Sequence, residues 1–181
     1  MSVVNGLFAY RPENGAARLV ATYKSQIRTY DGTTAVTNAT VLGISQTELV
    51  AMIQANDKVY GTDGTRMFTY DGTTAANFSI DTITVNERLG PIPVPLTGIT
   101  YLPVADILYF KNRLWFATGD YIHWTDPLDV NNQVPIIGDP SIRIRGGAGD
   151  SIIRLLDYRN QFILVFKGDS SGAGSIFILD V

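Results

Sequence analysis

The chain has 181 residues, a formal net charge of -3, no cysteine and a single histidine, His123, which leaves no disulfide framework, no thiolate zinc site and no paired-imidazole metal site within one chain. Charged residues make up 17% of it, against ~25% in an ordinary globular domain, and 14 aspartates stand against three glutamates (Glu13, Glu48 and Glu87), a bias toward turns and caps that excludes a helical bundle and a charged disordered tail. The acidic balance argues against nonspecific nucleic-acid binding as the main task, no apolar run approaches the ~18 residues of a membrane span, and MSVVNGLFAY lacks the basic-then-apolar pattern of a secretory leader, so none is expected.

In chain order, Leu7 to Arg11 reads as a short strand ended by Pro12 and the Glu13-Asn14-Gly15 turn. Arg18 to Tyr23 and Gln26 to Tyr30 form a hairpin across Lys24-Ser25, followed by an Asp31-Gly32 turn and a run from Ala35 to Leu42. Ser45 to Ala55 is open to two readings. Ser45 and Glu48 have capping-box spacing, and Leu49, Val50, Met52 and Ile53 suit a helical face. The repeat described next places a strand there instead. Lys58 to Thr62 is a β-run, Asp63-Gly64 predicts a two-residue type I′ hairpin, and Thr65 to Tyr70 is the return strand. Asp71-Gly72 makes another tight turn, and Asn77 to Val85 alternates as a further strand.

The heptapeptide TYDGTTA occurs at Thr29–Ala35 and again at Thr69–Ala75, an offset of 40 residues. Such a period is the size of one four-stranded propeller blade, ~40–45 residues. A third unit repeats the scheme in degenerate form: Ile107 to Phe110, Lys111-Asn112, Arg113 to Thr118, Gly119-Asp120, Tyr121 to Thr125, then Asp126-Pro127. Its tail to Gly149 is irregular, with Ile142 and Ile144 alternating with Arg143 and Arg145. The fourth unit is Ser151 to Tyr158, Arg159-Asn160, Gln161 to Lys167, a Gly/Ser loop, and Ser175 to Val181. The expected architecture is all-β, a propeller-like array of about four antiparallel four-stranded blades in one domain over 1–181. Its units lie at about 5–44, 45–88, 104–145 and 149–181, with 89–103 as a Pro-rich crossing in which prolines remove ladder donors. The array is expected to be a partial ring.

Little in the chain carries chemistry. His123 sits beside Trp124 in a strand with no nucleophile motif near it and reads as structural. The Asp-Gly pairs lack the calcium-loop pattern and are explained by turns. Gly146-Gly147-Ala148-Gly149 has no following Gly-Lys-Ser/Thr, so it is no phosphate cradle, and Gly168 to Gly174 is a hairpin loop. Arg143, Arg145, Arg154 and Arg159 read as a solvated face, with contact to nucleic acid or an acidic partner as the alternative. Tyr30, Tyr70, Trp115 and Trp124 could make a sugar platform, but their repeat positions among alternating apolars favour core packing. No catalytic, cofactor or metal residue is assigned, and no cofactor and no enzyme activity are expected.

NGLFAYR at Asn5–Arg11, TYDGTTA, KVYGTDG at Lys58–Gly64, KNRLWFATGDYIHWTDP at Lys111–Pro127 and GDSIIRLLDYRNQFILVFKGDS at Gly149–Ser170, with SIFIL after it, occur in an order that resembles the β-propeller region of phage tail hub, nozzle and tail-tube-associated proteins, the group that includes DNA-stabilisation proteins of short-tailed phages. The resemblance covers most of the chain from Asn5 onward. It implies a structural component of a virion at the tail hub or nozzle or at the head-to-tail junction, acting by assembly with other virion proteins around the DNA passage, in contact with the packaged DNA and without membrane insertion. Family members are commonly several hundred residues long, so four units are expected to be a short form, a fragment or one chain of a larger assembly. An unclosed set exposes strand edges, so a homo-oligomer or ring, or docking onto virion partners, is expected. The rival readings are a carbohydrate- or receptor-binding tail module and an enzyme built on the same scaffold.

Overall fold

The computed structural model describes residues 4–33, 35–36, 43–78, 103–125, 127, 137–145, 150–168 and 173–181. These residues form four antiparallel sheets with no helix among them, and each sheet is a meander in which every strand pairs with the next in sequence. The first sheet holds β1 (Val4–Tyr10), β2 (Arg18–Tyr23), β3 (Gln26–Tyr30) and β4 (Ala35–Val36). The second holds β5 (Ala51–Ala55), β6 (Lys58–Thr62), β7 (Met67–Tyr70) and β8 (Ala75–Phe78). The third holds β9 (Asp106–Phe110), β10 (Arg113–Thr118), β11 (Tyr121–Thr125) and β12 (Ile137–Arg143). The fourth holds β13 (Ser151–Tyr158), β14 (Phe162–Gly168) and β15 (Gly174–Asp180). The all-β expectation holds. The fourth sheet departs from the expected four strands, with three among the described residues. The Pro-rich crossing expected over 89–103 lies outside the described residues except for Pro103, as do residues 37–42 and 79–85 of two expected strands. The expected irregular tail of the third unit is corrected, because β12 pairs with β11 through Tyr121↔Arg143, Ile122↔Ile142 and Thr125↔Ile137.

Two kinds of tight hairpin differ in a way that corrects the reading of Asp63-Gly64. Lys24-Ser25 and Lys111-Asn112 are two-residue connections, since Tyr23 pairs with Gln26 and Phe110 with Arg113. All four residues have positive φ, at 48°, 63°, 47° and 59°, the backbone that type I′ turns require. At Asp63-Gly64 the flanking pair is Thr62↔Met67, so the loop runs from Asp63 to Arg66, and Gly64 alone in it has positive φ, 87°. Asp63 acts through its side chain: Oδ1 accepts the N–H groups of Thr65 (2.9 Å) and Arg66 (2.6 Å). Asp71 Oδ1 does the same for Thr73 (2.9 Å) and Thr74 (2.7 Å). Aspartate is selected in these loops because its carboxylate satisfies turn N–H groups that no strand partner reaches.

The capping-box spacing at Ser45 also has a local use other than a helix. Ser45 Oγ accepts the N–H of Glu48 at 3.1 Å, but the segment makes bends, and β5 begins at Ala51. Leu49 is left 86% exposed. The strand reading is right for Ala51–Ala55. The serine-to-amide bond is common to helix caps and to turns, so the spacing alone does not decide between them.

The sheets stack face to face in chain order, with the first strands of successive sheets side by side: β1 against β5, β5 against β9, β9 against β13. Three cores fill the interfaces. Tyr10, Val20 and Ile27 of the first sheet meet Val59, Phe68 and Tyr70 of the second. Ala55, Tyr60 and Met67 meet Ile107, Leu114 and Phe116 of the third. Leu108, Trp115 and Ile122 meet Ile152, Leu155, Ile163 and Val165 of the fourth. Close approach across the first interface is helped by Gly6, where a Cβ would lie 2.8 Å from Val50 Cβ and 2.9 Å from Met52 Cε. Phe116→Ala, which opens a hole in the core between the second and third sheets, is expected to lower the unfolding free energy by about 3–5 kcal/mol. Leu49→Ala is expected to change it by less than about 0.5 kcal/mol. Urea titration followed by tryptophan fluorescence measures both, and equal effects would contradict this placement of the core.

Candidate interaction surface

Alternation along a strand sends successive side chains to opposite faces, so every sheet has a face toward its predecessor and a face toward its successor. In the second and third sheets both faces are covered. In the first sheet the face away from the second carries Val4, Leu7, Leu19 and Tyr30, all exposed. In the fourth sheet the face away from the third carries Leu156, Tyr158, Ile176 and Ile178, exposed, with Phe162, Leu164 and Phe166 half-buried among them. No core joins the fourth sheet to the first among the described residues. Among the described residues each end of the stack therefore presents a largely apolar sheet face, with Arg28 the exposed charge beside Tyr30 on the first, the kind of surface that marks an interaction site.

The sequence carries a signal for these faces that reading by motif passes over. A strand with one wet face alternates apolar and polar residues, whereas a strand covered on both faces reads as a continuous apolar run. Phe162-Ile163-Leu164-Val165-Phe166 and Ile176-Phe177-Ile178-Leu179 are such runs. Ile163 and Val165 are buried against the third sheet, while Leu164 and Phe166 point the other way.

The two copies of TYDGTTA stand in different environments. Tyr30 and Tyr70 each donate a hydrogen bond from the hydroxyl to the carbonyl of the glycine two residues on, Gly32 at 2.9 Å and Gly72 at 2.7 Å. Tyr70 is fully buried because the first sheet covers it: Tyr10 packs edge-on at 5.8 Å, and Arg18 donates to Gly72 O at 2.6 Å. Tyr30, on the corresponding face of the first sheet, is 46% exposed.

Polar side chains at the inner interfaces fix how the sheets meet. Asn5 Nδ2 donates to Ser45 O and Glu48 O, both at 2.7 Å, while its Oδ1 accepts from Thr22 Oγ1 at 2.9 Å. Thr62 Oγ1 donates to Val104 O at 2.7 Å. Asp106, buried at the start of β9, accepts the Leu155 N–H at 2.7 Å, with Arg154 Nε at 3.7 Å. Burial pushes the Asp106 carboxyl above the usual carboxylate range, and the Leu155 and Ile107 N–H groups and the Arg154 charge offset this only in part. Buried Lys167 donates to Ile144 O at 2.8 Å and lies 3.9 Å from Asp120, which also pairs with Arg143 at 3.0 Å.

The residues weighed for chemistry do not converge. His123 is half-buried in β11 with the Tyr121 ring at 6.2 Å, and burial holds its pKa below the ordinary 6.5. Trp115 is buried, donates from Nε1 to Phe110 O at 3.0 Å and stacks on Trp124 at 4.9 Å. With Tyr70 also buried, only Tyr30 of the four weighed aromatics stands on a free face. Arg143 is tied to Asp120 and Arg154 lies beside Asp106, while Arg159 sits over its neighbour Tyr158, so these cations do not gather into one patch. The glycine run 146–149 and residues 169–172 of the last hairpin loop lie outside the described residues. No group of three or more His, Cys, Asp or Glu side chains among the described residues could hold a metal ion.

No protein-family model matches the chain, and no curated protein matches it in sequence. The environment of Asp106 has a measurable consequence. Its carboxyl titrates higher in the folded chain than in the unfolded one, so it contributes stability below the unfolded value that is lost as pH rises through the folded value. Asp106→Asn keeps an oxygen for the Leu155 amide and removes the titration. The stability of the natural chain relative to this variant is therefore expected to rise as pH falls from neutral toward 4. Urea midpoints at a series of pH values measure it, and a flat or inverted difference would contradict the buried placement of this carboxyl.

Proposed function

We propose that the chain is a propeller-like array of blades and a structural, non-enzymatic component of a phage particle at the tail hub or nozzle or the head-to-tail junction. It acts by packing sheet faces against neighbouring virion proteins around the DNA passage. The observation that carries this reading is the stack itself: meander sheets of blade size, first strands side by side, with an apolar face bare at each end. A radial array of such sheets is how propellers arrange blades. The order of motifs from Asn5 to SIFIL supports the assignment to a tail protein. The sugar-binding reading needs equivalent exposed aromatic platforms in successive units, and Tyr70 and Trp115 are committed to inter-sheet cores.

The test is where the protein ends up. The coding sequence is expected beside portal and adaptor genes, and mass spectrometry of gradient-purified, nuclease-treated particles is expected to recover the chain in stoichiometric amounts with the portal. Neighbours from a sugar-utilisation operon, or recovery only from the soluble lysate, would overturn the proposal.

A further inference from the structure

We propose that the two bare faces are the halves of one interface, and that a second copy of this chain fills each: the outer face of the fourth sheet of one copy packs on the outer face of the first sheet of the next, with Tyr158 of one over Tyr30 of the other. This deepens the assembly reading above by naming the partner and the surface, and it rests on the sheet stack rather than on membership of a virion.

In the second sheet, Tyr70 is covered by Tyr10, the last residue of the first strand of the preceding sheet, on the face that points toward its successor. The same position is occupied in the next two sheets by Ala55 and Phe110, and both are buried against the sheet that follows. In the fourth sheet it is occupied by Tyr158, on the open face and 43% exposed. A tyrosine therefore stands part-exposed at the covering position at one end of the stack, with the neighbouring Arg159 over its ring at 5.2 Å. At the other end Tyr30 stands bare at the covered position, in a heptapeptide identical to the one that is buried inside.

The surrounding residues are mostly apolar. Around Tyr30 lie Leu19, its cross-strand partner, the exposed Arg28 two residues back on the same face, and Leu7 further along, which is 62% exposed. Around Tyr158 lie Phe162, its cross-strand partner, then Leu156, Leu164 and Ile178, the last 69% exposed. Three such interfaces already form inside the chain between the same two kinds of face, so a fourth between copies continues an existing geometry. The contact joins two different surfaces. It is therefore heterologous, and it closes into a ring or extends as a filament according to the rotation between copies. The first and fourth sheets of one chain do not supply each other's cover, since both faces are exposed in the same molecule.

Sedimentation velocity over a concentration series, on the full chain and on Tyr30→Lys and Tyr158→Lys, tests this. The natural chain is expected to associate beyond a dimer. Each variant alone is expected to have a dissociation constant raised about 30-fold or more, the effect of losing a hot-spot contact. Mixed, the two variants are expected to form a 1:1 dimer that goes no further, because each retains the face the other has lost. Leu7→Lys and Ile178→Lys form a second pair for the same mixing experiment, and far-UV circular dichroism identifies any variant that has lost its sheets. A natural chain that stays monomeric at all concentrations, a single variant that still associates as the natural chain does, or mixed folded variants that stay monomeric would each overturn the proposal. Association without recovery from phage particles would leave this interface standing and remove the virion reading.

Discussion

Sheet-on-sheet packing is the constraint on which the rest of this molecule depends. A meander of three or four short strands is too thin to have an interior of its own. It becomes stable only when a face is covered by another layer. Each fully buried Val, Leu, Ile or Phe contributes about 1.5–3 kcal/mol relative to exposure, and in this chain nearly all of them are buried between sheets. Stacking four layers creates three interfaces and leaves two faces over. In most stacked sheets the leftover faces are polar. Here the same apolar residue types continue onto them, so the covering rule that builds the interior runs to the ends of the stack.

The buried polar residues give this packing its register. Apolar side chains make a layer adhere, but they tolerate sliding. Asn5 spans two backbone carbonyls of the segment leading into β5, Thr62 bonds the segment leading into β9, and Asp106 accepts an amide of β13. Each tie lies on or beside the first strand of a sheet and reaches the next unit. Leaving such a group unpaired costs about 1–3 kcal/mol, and every buried side-chain polar atom among the described residues has a partner. The ties therefore penalise any shift of one sheet against the next. Asp106 carries a cost of its own, because its burial disfavours the charge that makes it a strong acceptor.

Much of the architecture was legible in the sequence because the turns are chemically explicit. Strands bounded by Lys24-Ser25, Lys111-Asn112 and Arg159-Asn160 were placed nearly to the residue. The Asp-Gly pairs marked the right places for the wrong reason: the aspartate binds turn amides with its side chain, and a four-residue loop results. Strand β12 was missed because it is held by pairing to β11 rather than by its own propensity, and Pro140 within it argues locally against a strand. The end faces were missed because motif reading looks for titratable groups, whereas these surfaces are recorded in the loss of alternation along β14 and β15.

The repeat makes a stronger physical argument than its role as a period marker suggests. Seven identical residues have the same local preferences, and both copies form the same tyrosine-to-glycine-carbonyl hydrogen bond. The difference in burial between Tyr30 and Tyr70 therefore comes from outside the heptapeptide, from whether another sheet among the described residues covers that face. The hydroxyl keeps its acceptor capacity, which Arg18 Nη1 meets at Tyr70 at 3.5 Å, and inside the stack the ring packs edge-on against another tyrosine at the end of a first strand, Tyr10. At the other end of the stack Tyr158 occupies the position of Tyr10, with Phe162 where Arg18 stands beside Tyr10, so the ring contact has its counterpart there while the arginine contact does not.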